Sequence, residues 1–173
     1  LNLQKEYQSI KKEIEKKFKE TLNRGEYCFG QETEEFERNF AKLTGCKYCF
    51  ALNSGTTSLM VALRALGVKS GDKVITTPFT FIATAEAIIN IGAQVVFADV
   101  DEETMNLDIN QVSKVIDKKT KAILPVHLYG VPVELKAFLK IVKKHHLGLI
   151  EDAAHAEGSL YQGKPVGGFG DIG

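Results

Sequence analysis

From about residue 47 onward, short apolar runs alternate with longer amphipathic segments, and this alternation constrains the fold more than any other feature. The runs are KYCFALN (47–53), KVITT (73–77), QVVFADV (94–100), KAILPVH (121–127) and LGLIEDA (147–153), each read as a strand. Between them, SGTTSLMVALRALG (54–67) places Leu59, Leu63 and Leu66 on one helical face, and FTFIATAEAIINIG (79–92) ends at Gly92. A short helix capped by Asp108 or Asn110 runs through Val115, and VELKAFLKIVKKHH (133–146) forms the last helix of the series. Strands separated by helices pair in parallel through right-handed crossovers, with helices on both faces. Nearly continuous apolar strands are what a sheet covered on both sides requires. The expected architecture is a three-layer α/β/α domain with a mostly parallel sheet.

Two helices precede this series. Ile10, Ile14, Phe18 and Leu22 recur at helical spacing, predicting an amphipathic helix over residues 3–22. RGEYCFG (24–30) interrupts it, and a second helix follows with Phe36, Phe40 and Leu43 expected inward and Gly45 as its stop. Residues 1–24 hold seven Lys/Arg against four Glu, whereas residues 25–45 hold five Glu against Arg38 and Lys42. Opposite charges on two adjacent segments predict two solvated, mutually attracting helix faces. Late in the chain, SLYQGKPVGG (159–168) reads as a hairpin with a Gln-Gly turn.

The remaining bounds are mostly exclusions. Twenty-two Lys+Arg balance 22 Asp+Glu, so no basic field points to nucleic acid or an anionic membrane. No apolar run approaches the ~20 residues of a membrane span and no signal-peptide pattern opens the chain, so a cytoplasmic protein is expected. Cys28, Cys46 and Cys49 are odd in number, and the CxxC at 46–49 lacks the second pair a structural zinc site needs, so no metal is expected. The start at Leu1 and the stop inside GGFGDIG suggest part of a longer protein: an amino-terminal helix over 1–24, then a truncated large domain over 25–173.

In open α/β sheets ligands gather at the carboxyl ends of the strands. Asn53-Ser54-Gly55-Thr56-Thr57 joins a strand to a helix there. Small residues permit close backbone approach, and the helix start offers unpaired N–H groups to a phosphate, although a plain serine cap reads the same way. Phe81 can stack on a flat ring or serve the core. Glu151-Asp152 closes an apolar strand, where a carboxylate can bind metal or ribose, hold a protonated ring nitrogen, or form a rim ion pair. His127 and His155 can each donate to a ligand oxygen, or be structural. A phosphate seat, an aromatic platform and an acid for a ring nitrogen together describe pyridoxal 5′-phosphate (PLP).

With those residues in view, the chain resembles the amino-terminal part of the DegT/DnrJ/StrS family of PLP-dependent sugar aminotransferases. The matching stretches, in family order, are NSGTTSLMVALRALG, SGDKVITTPFTFIATAEAI, GAQVVFADVD, TKAILPVHLYG and IEDAAHAEGSLYQGKPVGGFGDIG. The resemblance implies the aspartate-aminotransferase-like (type I) PLP fold, a seven-stranded sheet and a homodimer. It implies that Gly55 and Thr56 hold the cofactor phosphate, that Phe81 stacks on the ring, and that Asp152 pairs with the pyridine nitrogen. His155 stands near the ring hydroxyl, where many members carry Gln. Tyr27 and Gly30, and more weakly His127, are expected near the sugar substrate.

The family's cofactor-binding lysine follows the segment matching GGFGDIG, and Lys164 does not correspond to it. The chain by itself is therefore expected to be inactive. The resemblance implies amino transfer, from glutamate, to a nucleotide-linked keto-sugar in amino-sugar or cell-surface polysaccharide biosynthesis. A sugar dehydratase, in which histidine replaces the lysine, and a non-catalytic regulator remain open at this point.

Overall fold

In the computed structural model, which describes residues 2–173, the alternation resolves into one parallel sheet between helices. The strands are β1 (Lys73–Thr76), β2 (Gln94–Phe97), β3 (Thr120–Leu124) and β4 (Gly148–Leu149), in spatial order β2-β1-β3-β4 and all parallel. Beyond β4 the pairing continues as isolated parallel bridges, Val126 with Asp152 and Ile150 with Ile172. Expected strands are longer than those formed because their outer residues face turns rather than ladder partners.

The described residues form six α-helices, α1 (Leu3–Arg24), α2 (Gln31–Thr44), α3 (Gly55–Ala65), α4 (Ala83–Asn90), α5 (Ile109–Val115) and α6 (Leu135–His145), the last four belonging to the layers around the sheet. Each crossover buries an apolar stripe. Leu63, Val68, Val74, Ala87, Ile88, Leu124 and Ile150 form the core beneath α3 and α4. Ile75, Val112, Ile123, Leu135, Phe138 and Leu149 form the core beneath α5 and α6. Alternation along β1 sends Val74 to one cluster and Ile75 to the other, as a doubly covered strand requires. Each buried Val, Leu, Ile or Phe among them contributes about 1.5–3 kcal/mol by leaving water. The α5 cap is Asp108, whose side chain accepts from Asn110 N–H at 2.8 Å. The hairpin pairs Leu160–Tyr161 with Lys164–Pro165 across Gln162 (φ 51°) and Gly163 (φ 79°), a left-handed pair suited to a tight turn.

Two expectations fail near the amino terminus. Residues 47–53 form no strand, and Tyr48 and Phe50 are exposed. No described strand lies beside them to supply a ladder; the Ala51 N–H instead donates to Glu37 Oε1 at 2.7 Å. In α2, Phe36 and Leu43 are exposed rather than inward, while Phe36 stacks on Phe40 at 5.4 Å. Both segments line one open groove of about 900 Å³, whose other wall includes Ile150, Ala153 and Ile172. No side chain of α1 is buried, and its stripe from Tyr7 to Leu22 faces solvent. The opposite charges of the first two segments do meet: Arg24 bridges Glu26 and Glu32. Among the described residues, no helix is long and apolar enough to cross a membrane.

Candidate active site

Asp152 stands just past the carboxyl end of β4 and bridges Val126, just past the end of β3. Its place is fixed by the backbone: Asp152 N–H donates to Pro125 O at 2.9 Å, and His127 N–H donates to Asp152 O at 3.0 Å. The side chain is then held from two directions. Thr84 Oγ1 donates to Asp152 Oδ2 at 2.9 Å, and Ala154 N–H donates to Oδ1 at 3.2 Å. Thr84 and Asp152 are both buried.

Thr84 joins this carboxylate to the aromatic candidate. The turn before α4 is set by Thr77 Oγ1, which accepts from Phe79 N–H at 3.0 Å, and Thr84 N–H donates to Phe81 O at 3.2 Å. Phe81 therefore stands one turn ahead of the residue that grips Asp152. It is 70% exposed, so the core reading of this ring is excluded. Thr80 Oγ1 lies 3.3 Å from Thr84 Oγ1 and extends the polar chain.

At the start of α3, Ser54 Oγ accepts from Thr57 N–H at 3.1 Å, a serine cap. Among the described residues, the N–H groups of Gly55 and Thr56 meet no acceptor, so two donors at the positive end of the helix remain available to an anion. The capping and anion-binding readings thus coexist. α3 packs against α4, the helix that carries Thr84.

His155 follows Asp152 by three residues and is exposed. Its ring stacks against Tyr129 at 6.1 Å with a 13° interplanar angle. Tyr129 sits at φ 53°, ψ 26°, a left-handed conformation uncommon for a non-glycine residue. Ser159 Oγ braces the next peptide by donating to Gly130 O at 2.9 Å.

Glu151 and His127 lie inside the protein. Both side chains are fully buried, with His127 Nε2 3.0 Å from Glu151 Oε2. Val133 N–H donates to His127 Nδ1 at 3.1 Å, so Nε2 carries the proton and donates to the carboxylate. Glu151 also accepts from the N–H groups of Gly167, Phe169 and Gly170 at 3.0, 2.7 and 2.6 Å. Burial alone pushes this carboxyl up, but the His127 donor and the three backbone donors outweigh it and hold it below the ordinary glutamate range. Both ring nitrogens of His127 are satisfied within the protein, which favours its structural reading over a substrate contact. Tyr27 reaches back toward Leu22 O at 3.5 Å, and Gly30 precedes α2; neither bonds to the Asp152 cluster. Thr84 and Tyr129 were not foreseen. The spacing of Thr80 and Thr84, four apart where a helix begins, is the signal that carries the first.

These groups fit PLP on their own chemistry. Free helix-start donors suit its phosphate, an exposed ring suits its pyridine face, and a fixed carboxylate suits its ring nitrogen.

Comparison with known proteins agrees. Residues 8–173 match the DegT/DnrJ/EryC1/StrS aminotransferase family. The "Pleiotropic regulatory protein" of Geobacillus stearothermophilus is 41% identical over 170 residues, covering 98% of this chain and 46% of that protein. The UDP-N-acetyl-3-dehydro-alpha-D-glucosamine 3-aminotransferase of Acidithiobacillus ferrooxidans is 40% identical over 173 residues, covering 100% and 47%. The crystal structure of S. venezuelae DesV in complex with a ketimine intermediate superposes with a TM-score of 0.94 at 36% identity, covering 96% of this chain and 45% of that one. The chain spans about half the length of the relatives it matches.

Proposed function

The chain belongs to the DegT/DnrJ/EryC1/StrS aminotransferase family, and from that premise we propose that the protein is a PLP-dependent aminotransferase acting on a nucleotide-linked keto-sugar, with glutamate as amino donor. The observation that carries this reading is the continuous link from exposed Phe81 through Thr84 to the fixed carboxylate of Asp152. Relatives named for UDP-sugar amination support the substrate class.

When bound, PLP supplies an electron-withdrawing ring and a carbonyl that exchanges for an amine. The chain's own residues hold and polarise it. The N–H groups of Gly55 and Thr56 bind the phosphate at the positive end of α3. Phe81 covers one ring face and excludes water there. Asp152 would hold a proton on the ring nitrogen, the state in which the cofactor supplies its electron-withdrawing chemistry. His155, its ring set by Tyr129, donates to the ring oxygen. Tyr27 and Gly30 line the sugar side, and a lysine in polypeptide following Gly173 anchors the cofactor. The large domain over 25–173 acts in a cytoplasmic homodimer within amino-sugar or surface-polysaccharide biosynthesis.

The test is to add PLP to the protein at its full natural length, reduce with borohydride, and map the adduct by peptide mass spectrometry. An adduct on one lysine beyond Gly173 is the expected result. Bound cofactor without a lysine adduct favours the dehydratase. Absence of cofactor binding overturns the reading and favours a regulator, the role in the name of the Geobacillus relative.

A further inference from the structure

We propose that Thr84 is a positioning residue for Asp152: its hydroxyl, backed by Thr80, fixes the carboxylate so that its open lone pairs face the cofactor ring nitrogen. The proposal rests on the reading of Asp152 as the ring-nitrogen partner.

A carboxylate on a strand end rotates about two side-chain bonds, and an ion pair to a planar ring depends on its orientation. Here Oδ2 takes the Thr84 hydroxyl at 2.9 Å and Oδ1 takes the Ala154 N–H at 3.2 Å, one donor to each oxygen. Together they determine the carboxylate plane. Ala154 lies on the same loop as Asp152 and moves with it, whereas Thr84 belongs to α4, the helix led by Phe81. The Thr84 hydroxyl is therefore the contact that sets the acid relative to the aromatic platform.

The hydroxyl has a defined direction. An ionised carboxylate only accepts, so Thr84 donates its proton to Oδ2, and its lone pairs receive the Thr80 hydroxyl at 3.3 Å. Thr80 thereby prevents the Thr84 hydroxyl from turning away. Among the described residues no buried side-chain polar atom lacks a partner, so loss of this one hydroxyl leaves Oδ2 without its donor. Hydrogen bonds to charged groups are worth about ten-fold or more in an equilibrium constant.

The experiment uses the full-length protein with Thr84→Val, Thr84→Ala, Thr84→Ser and Asp152→Asn. Two quantities are read: equilibrium PLP affinity, and the nuclear magnetic resonance shift of the isotopically labelled ring nitrogen, which reports its protonation. Apo-protein melting separates folding defects from site defects. Thr84→Val and Thr84→Ala are expected to weaken PLP binding about ten-fold and to move the nitrogen signal part of the way toward that of Asp152→Asn. Thr84→Ser, which keeps the hydroxyl, is expected to retain the wild-type signal. Should Thr84→Val fail to fold, Thr84→Ala against Thr84→Ser carries the same contrast. A wild-type nitrogen signal in the hydroxyl-free variants, alongside a shifted Asp152→Asn, overturns the role of Thr84 alone. Equal losses in Thr84→Ser and Thr84→Ala also overturn it, reducing Thr84 to packing. An unshifted signal in Asp152→Asn overturns the underlying reading instead.

Discussion

His127 Nε2 and Glu151 Oε2 lie 3.0 Å apart with both side chains entirely out of solvent, and the same carboxylate collects the N–H groups of Gly167, Phe169 and Gly170. Glu151 thus ties the 167–170 loop to the sheet, while the side chain of its neighbour Asp152 accepts from Thr84 and Ala154 instead. Removing one partner of a buried, hydrogen-bonded pair leaves the other uncompensated. Glu151→Ala is expected to cost about 3–5 kcal/mol, read as a lower denaturant midpoint. An unchanged midpoint contradicts the assigned role.

Acid stability follows from the same residue. Glu151 titrates below its ordinary value of about 4.3 in the folded protein, so the folded state binds fewer protons than the unfolded one as pH falls through that region. Its contribution is complete above the unfolded value and is lost as pH drops through the lower folded value. The wild-type protein should therefore lose stability more steeply than Glu151→Gln below about pH 4.3, measured by urea unfolding across a pH series. Parallel profiles contradict the prediction.

Phe81 and Phe138 should respond in opposite ways to truncation. Phe138 is 1% exposed within the core beneath α6, so Phe138→Ala is expected to cost about 3–5 kcal/mol in folding. Phe81 is 70% exposed, so Phe81→Ala is expected to change folding by no more than about 0.5 kcal/mol. It should still weaken PLP binding by about 1 kcal/mol. Melting curves and cofactor titration check the pair.

Gly170 is required by crowding. A Cβ there would meet the Leu149 backbone oxygen at 2.6 Å, an atom held in the sheet that cannot move aside. Gly170→Ala is expected to cost about 1–3 kcal/mol and to loosen the loop gripped by Glu151, seen as faster amide exchange at Phe169 and Gly170.

What the sequence disclosed follows from how local each signal is. Helix stops at Gly25, Gly45 and Gly92, the Asp108 cap and the Gln162-Gly163 turn all depend on residues near in sequence, and each forms as expected. Apolar alternation located β1 to β4 because each run finds a parallel neighbour. The 47–53 run carries the same alternation without such a neighbour and forms no strand. Periodicity reports which side chains want burial, and a ladder also needs a second strand. The same limit applies to Phe36 and Leu43, whose helical spacing is right and whose face is open. In the proposed site, Asp152, Phe81 and the Gly55-Thr56 start are candidates offered by residue type at strand ends, and the structure adds the hydrogen bond from Thr84 to Asp152. Thr84 and Tyr129 were not legible in that way, because their importance lies in contacts with residues 68 and 26 positions away, Asp152 and His155. The structural reading of His127, open in the sequence, gains support only from partners set by tertiary structure, Val133 and Glu151.

The most direct test of the central claim is a single half-reaction. PLP-loaded full-length protein and its Asp152→Asn variant are each mixed with glutamate, without any sugar, and 2-oxoglutarate release is timed. The account predicts one equivalent of 2-oxoglutarate per site in the wild type and a rate lower by about 10²–10³ in Asp152→Asn. Absence of 2-oxoglutarate from the PLP-loaded wild type, or equal rates in the two proteins, would contradict it.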